Sequence, residues 1–198
     1  MDLDKNIDVL FSLDVSSTST GYSIIKKGRF RKVNKYFGKI MPDKKLGLAE
    51  KLSYFRNELV MLLEKYKPTC IAIEDVFVGR VNSAIILSRF SGVAIEAVYT
   101  TTGIKPILME SSKVRRILSA GRKKEETFNY IITRFNITDW DFSTYNDIVD
   151  SIALGLAVIK DLKDGSSGRE DKKAKRKKAK PRKNGRGSGS KKEKEKEG

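Results

Sequence analysis

Three strand-like runs in succession, followed by a switch to alternating helical and strand patterns, constrain this chain more than any other feature. Residues 7–16 (IDVLFSLDVS) read as a strand with a mostly apolar centre. Thr18 to Gly21 supply a turn, Tyr22 to Lys26 a second strand, Lys27-Gly28 a hairpin signal and Phe30 to Ile40 a third strand. Short turns between consecutive strands imply an antiparallel meander. The period then lengthens. Leu48, Leu52, Phe55, Leu59, Leu62 and Leu63 recur at spacings of three and four, predicting an amphipathic helix that ends near Lys67-Pro68.

Thr69 to Val76 is a nearly continuous apolar strand, of the kind buried on both faces of a sheet. Asn82 to Thr101 has a helical pattern that is apolar almost all round. Lys105 to Met109 follows as a fifth strand, then Lys113–Ser119 and Lys123–Phe135 as helices around Gly121. Tyr145 to Leu162 is the last helix, with Ser143 or Thr144 as its cap. The order βββαβαβ, then helices, predicts an α/β fold with a mixed five-stranded sheet flanked by helices. Strands four and five should be parallel, joined by a right-handed crossover.

The character changes after Leu162. Gly165-Ser166-Ser167-Gly168 is a linker signal, and a Lys/Arg-rich stretch with no apolar residue larger than alanine follows. Such a segment cannot build a core. The expected organisation is a folded domain over residues 1–164 and a disordered basic tail over 165–198. The tail carries +10 of the +16 net charge, leaving +6 on the body. A basic body and a more basic tail suit a polyanionic partner.

The chain has no histidine, which excludes Ser-His-Asp and Cys-His catalysis and any His-ligated zinc. One cysteine, Cys70, forbids an internal disulfide, points to a reducing compartment and sits in an apolar run as a small buried hydrophobe. No stretch approaches the roughly 18 apolar residues of a membrane span, and the acidic N-terminus lacks a signal core. A soluble, cytoplasmic protein is expected. Hydrolytic chemistry would therefore fall to carboxylates with oxygen-preferring metals.

Four acids stand out. Asp14 interrupts an apolar strand, where an unpaired carboxylate is costly without a partner such as a metal. Glu74 repeats this in Ile71-Ala72-Ile73-Glu74-Asp75-Val76. Side chains alternate across a strand, so only one of Glu74 and Asp75 can face a site, and position alone leaves both open. Asp147 and Asp150 share one face of the final helix, whose continuation is almost wholly apolar and must pack on the sheet. Oxygen ligands from three distant segments make a plausible site for two Mg²⁺ ions about 4 Å apart.

At these residues the sequence resembles the RuvC Holliday-junction resolvases of the RNase H-like superfamily. Residues 13–22 (LDVSSTSTGY) resemble the first-strand motif, 72–77 (AIEDVF) the second, 91–95 (SGVAI) the helix after it and 147–153 (DIVDSIA) the final acidic pair. The likeness runs over about residues 8–160. Asp-x-Ser-x-x-x-x-Gly by itself also resembles the phosphate loop of actin-like ATPases, but those need a longer, two-lobed chain. The resemblance implies an RNase H-like fold and a Mg²⁺-dependent endonuclease, with Mn²⁺ able to substitute and two ions per site. Asp14, Glu74, Asp147 and Asp150 would be its catalytic and metal residues, which favours Glu74 over Asp75.

It also implies paired, symmetric cleavage of branched DNA by a homodimer. Phe77 matches an aromatic that unstacks bases at the junction. Lys113 and Lys124 match lysines that neutralise phosphate charge, with Arg115, Arg116, Arg122 and Lys123 as further DNA-binding candidates nearby. Two matched cuts in a two-fold junction call for a C2 dimer. Ser91, Gly92, Ala94 and Ala97 on the long helix would allow close approach of a partner. The basic tail is unlike common bacterial members and suggests a phage or viral-type one. Two other readings are a non-catalytic branched-DNA-binding protein, and an RNase H-like nuclease acting on RNA or replication forks.

Overall fold

Alternation along the first strand decides how the molecule is layered. In the computed structural model, Leu10 and Ser12 of β1 (Val9–Asp14) face one side and Phe11 and Leu13 the other, all buried. β1 is the centre of a five-stranded sheet of order β3-β2-β1-β4-β5. β2 (Thr20–Lys26) and β3 (Phe37–Ile40) continue from it as the antiparallel meander. β4 (Cys70–Glu74) runs parallel to β1, and β5 (Ile107–Met109) parallel to β4. The structure describes residues 7–27, 36–75 and 81–178, and of 81–83 and 165–178 the backbone alone. The expected start of the third strand at Phe30 and the end of the fourth at Val76 lie outside the described residues.

Both sheet faces are covered. Phe11, Leu13, Ile71 and Ile73 pack against α1 (Leu48–Tyr66) and α2 (Val81–Thr102) through Phe55, Leu59, Phe90 and Ala94. Leu10, Cys70, Ala72 and Met109 pack against α3 (Ser111–Leu118), α4 (Lys124–Phe135) and α5 (Phe142–Lys178). Each large apolar side chain so enclosed contributes about 1.5–3 kcal/mol relative to exposure.

α5 is the element that matters most. Every residue from Ile148 to Ile159 is buried or nearly so, Asp150 included. Its seat on the sheet is made of small side chains. A Cβ added at Gly155 would lie 2.7 Å from Ile25 Cδ1 and 2.9 Å from Ser12 Oγ, and one at Gly21 would overlap the Asp147 backbone carbonyl. Beneath this seat Ser12 and Ser23 satisfy each other with a buried 2.7 Å hydroxyl pair. Helix and strand therefore approach closely enough for short carboxylates on α5 to reach the sheet edge.

Two boundaries and one packing assignment differ from the sequence reading. The α5 cap is Asp141, whose Oδ1 accepts from the Thr144 backbone N–H at 2.9 Å and from the Ser143 hydroxyl at 2.5 Å. Its carboxylate outcompetes the neighbouring hydroxyls as an acceptor at a helix N-terminus. The helical backbone continues to Lys178 rather than ending at Leu162. Lys, Arg, Ala and Glu dominate positions 169–178 and favour helix intrinsically. Finally, Ser91, Ala94 and Ala97 of α2 are buried in the protein's own core, and only Gly92 of those four is exposed. By its internal packing the chain divides into Met1–Asp164 and Gly165–Gly198. Among the described residues no helix is long and apolar enough to cross a membrane.

Candidate active site

The register between β1 and β4 brings two acids to one level. Leu13 pairs with Ile73, so the next residue on each strand, Asp14 and Glu74, stand side by side at the sheet edge. Both alternate onto the face that carries Ser12 and Ala72, the face covered by α5. Asp75 falls on the opposite alternation and is exposed. Gly21 lies next to Asp14 across β2, and the α5 backbone at Asp147 rests on it. Asp147 and Asp150 thus arrive above the two strand acids from the first turns of α5.

The electrostatics agree with this convergence. Desolvation, then the charges of Glu74, Asp150 and Asp147, push the Asp14 carboxyl well above the ordinary range, against a weaker pull from Lys124. Burial and then the Asp150 charge raise Glu74 to about 7, opposed by Lys124, Arg115 and a hydrogen bond from Ser111. Burial also raises Asp150. Like charges held together in a desolvated pocket resist ionisation.

One ammonium partly relieves this strain. Lys124, the first residue of α4, places Nζ 2.7 Å from Asp150 Oδ2 and 4.0 Å from Asp147 Oδ1. Burial works against its charge, yet Asp150, Asp14 and Asp147 outweigh that and raise its pKa. Asp147 is held by two further groups: Ser19 Oγ donates to Oδ2 at 2.7 Å, and Lys39 Nζ lies 3.3 Å from the same oxygen.

The donor set fits hard divalent cations, being all oxygen and short of compensating charge. Asp14, Glu74, Asp147 and Asp150 are the residues that would hold them. Among the described residues, however, no three acids converge tightly enough to form a ready cage. Ammonium groups orient Asp147 and Asp150 here.

The remaining candidates divide by position. Arg115 is close enough to lower the pKa of both Glu74 and Asp150. Lys113 is two residues earlier on α3, roughly 200° around the helix. Its Nζ pairs instead with Asp161 Oδ2 at 2.8 Å, about 16 Å along α5 from Asp150. The structure therefore brings Lys124 and Arg115 to the acids but not Lys113. Arg116, Arg122 and Lys123 are exposed on α3 and the turn leading into α4. Phe77 lies outside the described residues. Ser19, Lys39 and Ser111 carry no signal that sequence reasoning singles out. Ser19 does lie inside the first-strand motif, but nothing local marks Lys39, since its partner is 108 residues away.

A mixed sheet with this strand order, and an acid cluster where two central parallel strands meet a covering helix, define the RNase H-like class of fold. Residues 10–158 match the family described as crossover junction endodeoxyribonuclease RuvC. The chain belongs to that family, which depends on divalent metal. The RuvC of Acidobacterium capsulatum is 30% identical over 138 residues, covering 63% of this chain and 78% of its own. That of Myxococcus xanthus is 27% identical over 149 residues, covering 74% and 78%. The solved structure of T. thermophilus RuvC in complex with Holliday junction substrate has a TM-score of 0.67 at 14% identity, covering 79% of this chain and 96% of that chain. It shares the fold.

Proposed function

We propose that this protein resolves four-way DNA junctions by paired, symmetric phosphodiester cleavage, using Asp14, Glu74, Asp147 and Asp150 to hold two Mg²⁺ ions, with Mn²⁺ able to substitute. The observation that carries this reading is the register that sets Asp14 and Glu74 side by side on two parallel strands under α5, where burial raises both carboxyls and Asp150 adds to each. Such a cluster is poised for a cation. When bound, the ions supply Lewis acidity to the attack of water on phosphorus and to departure of the 3′ oxygen. The P–O3′ bond breaks, leaving a 5′-phosphate and a 3′-hydroxyl.

The chain's own residues do the rest. β1 and β4 fix Asp14 and Glu74 rigidly. Lys124 and Arg115 oppose the negative charge gathered when a phosphodiester enters. Arg116, Arg122 and Lys123 extend that basic surface along the strand, and Phe77 is the proposed wedge between bases. Two-fold junction symmetry calls for a homodimer, and exposed Ile85 and Ile86 of α2, at 45% and 41%, supply apolar surface for it. We assign residues 1–164 to the nuclease domain and 165–198 to a basic tail that grips phosphates without regard to sequence. The bacterial relatives and the lone Cys70 support a cytoplasmic site of action.

Incubating the full chain with labelled four-way junction, flap and RNA duplex, with and without Mg²⁺, tests the proposal. Metal-dependent paired nicks in the junction, absent in Asp147→Asn, are expected. Junction binding without any cleavage would identify a binding protein instead, and preferential cutting of the flap or RNA would redirect the substrate.

A further inference from the structure

Asp147 is the outlying member of the acid cluster, and two groups from the β2–β3 edge of the sheet hold it there. Of the carboxylates around Asp14, it acts on Asp14 most weakly. Its Oδ2 takes both the Ser19 hydroxyl, at 2.7 Å, and the Lys39 ammonium, at 3.3 Å. Lys39 is opposite Gly21 in the β2–β3 register, and Gly21 is the residue on which the Asp147 backbone rests. The ammonium is therefore delivered by the same close approach that seats α5. The pair is well enclosed, with side chains 20% and 22% exposed. An ion pair of that kind is neither a loose surface pair nor needed to satisfy the fold, because Ser19 already donates to the same oxygen.

We propose that Lys39 is a resident counter-ion that competes with divalent metal for Asp147, so that metal loading is an exchange of ammonium for cation. This rests on the reading of the four acids as the metal site. Lys39 then acts as a positioning residue through Asp147. Its charge weakens metal binding in the resting protein.

Titrating the full-length chain with Mn²⁺ alone, without DNA, and following water-proton relaxation measures this directly. Lys39→Met should bind Mn²⁺ about tenfold more tightly than wild type, the order expected for removing one charge beside a half-enclosed dication. Lys39→Arg keeps the charge and should stay within about threefold of wild type. If Lys39 merely held Asp147 in place, Lys39→Met would bind more weakly; that result, or no change, overturns the proposal. Lys39→Gln serves as the second neutral variant should Lys39→Met fail a thermal-melt check for folding. Asp14→Asn separates the two levels. If it binds Mn²⁺ like wild type, the metal-site reading fails. If it loses Mn²⁺ while the neutral Lys39 variants do not bind more tightly, only the counter-ion proposal fails.

Discussion

Glu74 carries the clearest signature of the site at the scale of a residue. Its carboxyl titrates at about 7 in the folded protein against an ordinary 4.5. A raised acid favours the folded state fully below its unfolded value, and that contribution disappears as pH climbs through the folded one. Metal-free protein should therefore lose stability between about pH 4.5 and 7, by roughly 5 °C in Tm. Glu74→Gln should flatten that part of the profile, which a melt series in chelator would show. Saturating Mg²⁺ should flatten it in the wild type as well, since the ion binds the ionised form. For catalysis, Asp14→Asn removes a proposed metal ligand worth several kcal/mol of charge stabilisation, so junction cleavage should fall by about 1,000-fold or more. Gel-shift binding of the junction should survive, and equal loss of binding and cleavage would point to a folding defect.

Elements decide whether those residues meet, and here the legibility of the sequence is uneven. Asp14 and the Glu74-Asp75 pair are visible because a charge interrupting an apolar strand demands a partner, and the family resemblance alone favours Glu74 over Asp75. Asp147 and Asp150 are visible because an apolar helix following them has to pack on the sheet. The βββαβαβ order likewise follows from the change in hydrophobic period. Lys39 and Ser19 are invisible because their bonds to Asp147 span 108 and 128 residues and depend on strand register. Lys113 misleads because helical angle, not proximity in sequence, selects Arg115 for the acids. The close seat of α5 is also hidden, since a glycine in a strand or helix does not announce what it touches.

That seat yields a prediction of its own. Gly155→Ala crowds the Ile25 and Ser12 side chains and should cost about 1–3 kcal/mol, read as a lower Tm. Gly21→Ala meets the backbone of Asp147 and must shift α5 itself. A displacement near 1 Å at the acids should reduce cleavage by about 100-fold, with helical content unchanged by circular dichroism. Wild-type cleavage in Gly21→Ala would show that the site tolerates a looser seat.

For the molecule as a whole, charge is distributed unequally between the two units, +6 over residues 1–164 and +10 beyond. Removing 165–198 should leave the Tm and the cut positions nearly unchanged while weakening junction binding. The salt dependence should flatten as well, its slope falling by about 0.9 for every phosphate that the tail had neutralised. An unchanged slope would mean that the tail does not touch DNA.

The β1–β4 register has a consequence for how this protein can vary over generations. Asp14 and Glu74 meet because two strands are counted from the same level, and one residue more or fewer in either would exchange Glu74 for its outward neighbour or turn Asp14 away. Substitutions in these strands are graded in effect, but a single-codon insertion is all or nothing. A library of such insertions along the gene should therefore show two narrow silent zones, over 9–14 and 70–74, with survivors gathered in exposed connections such as residues 43–45.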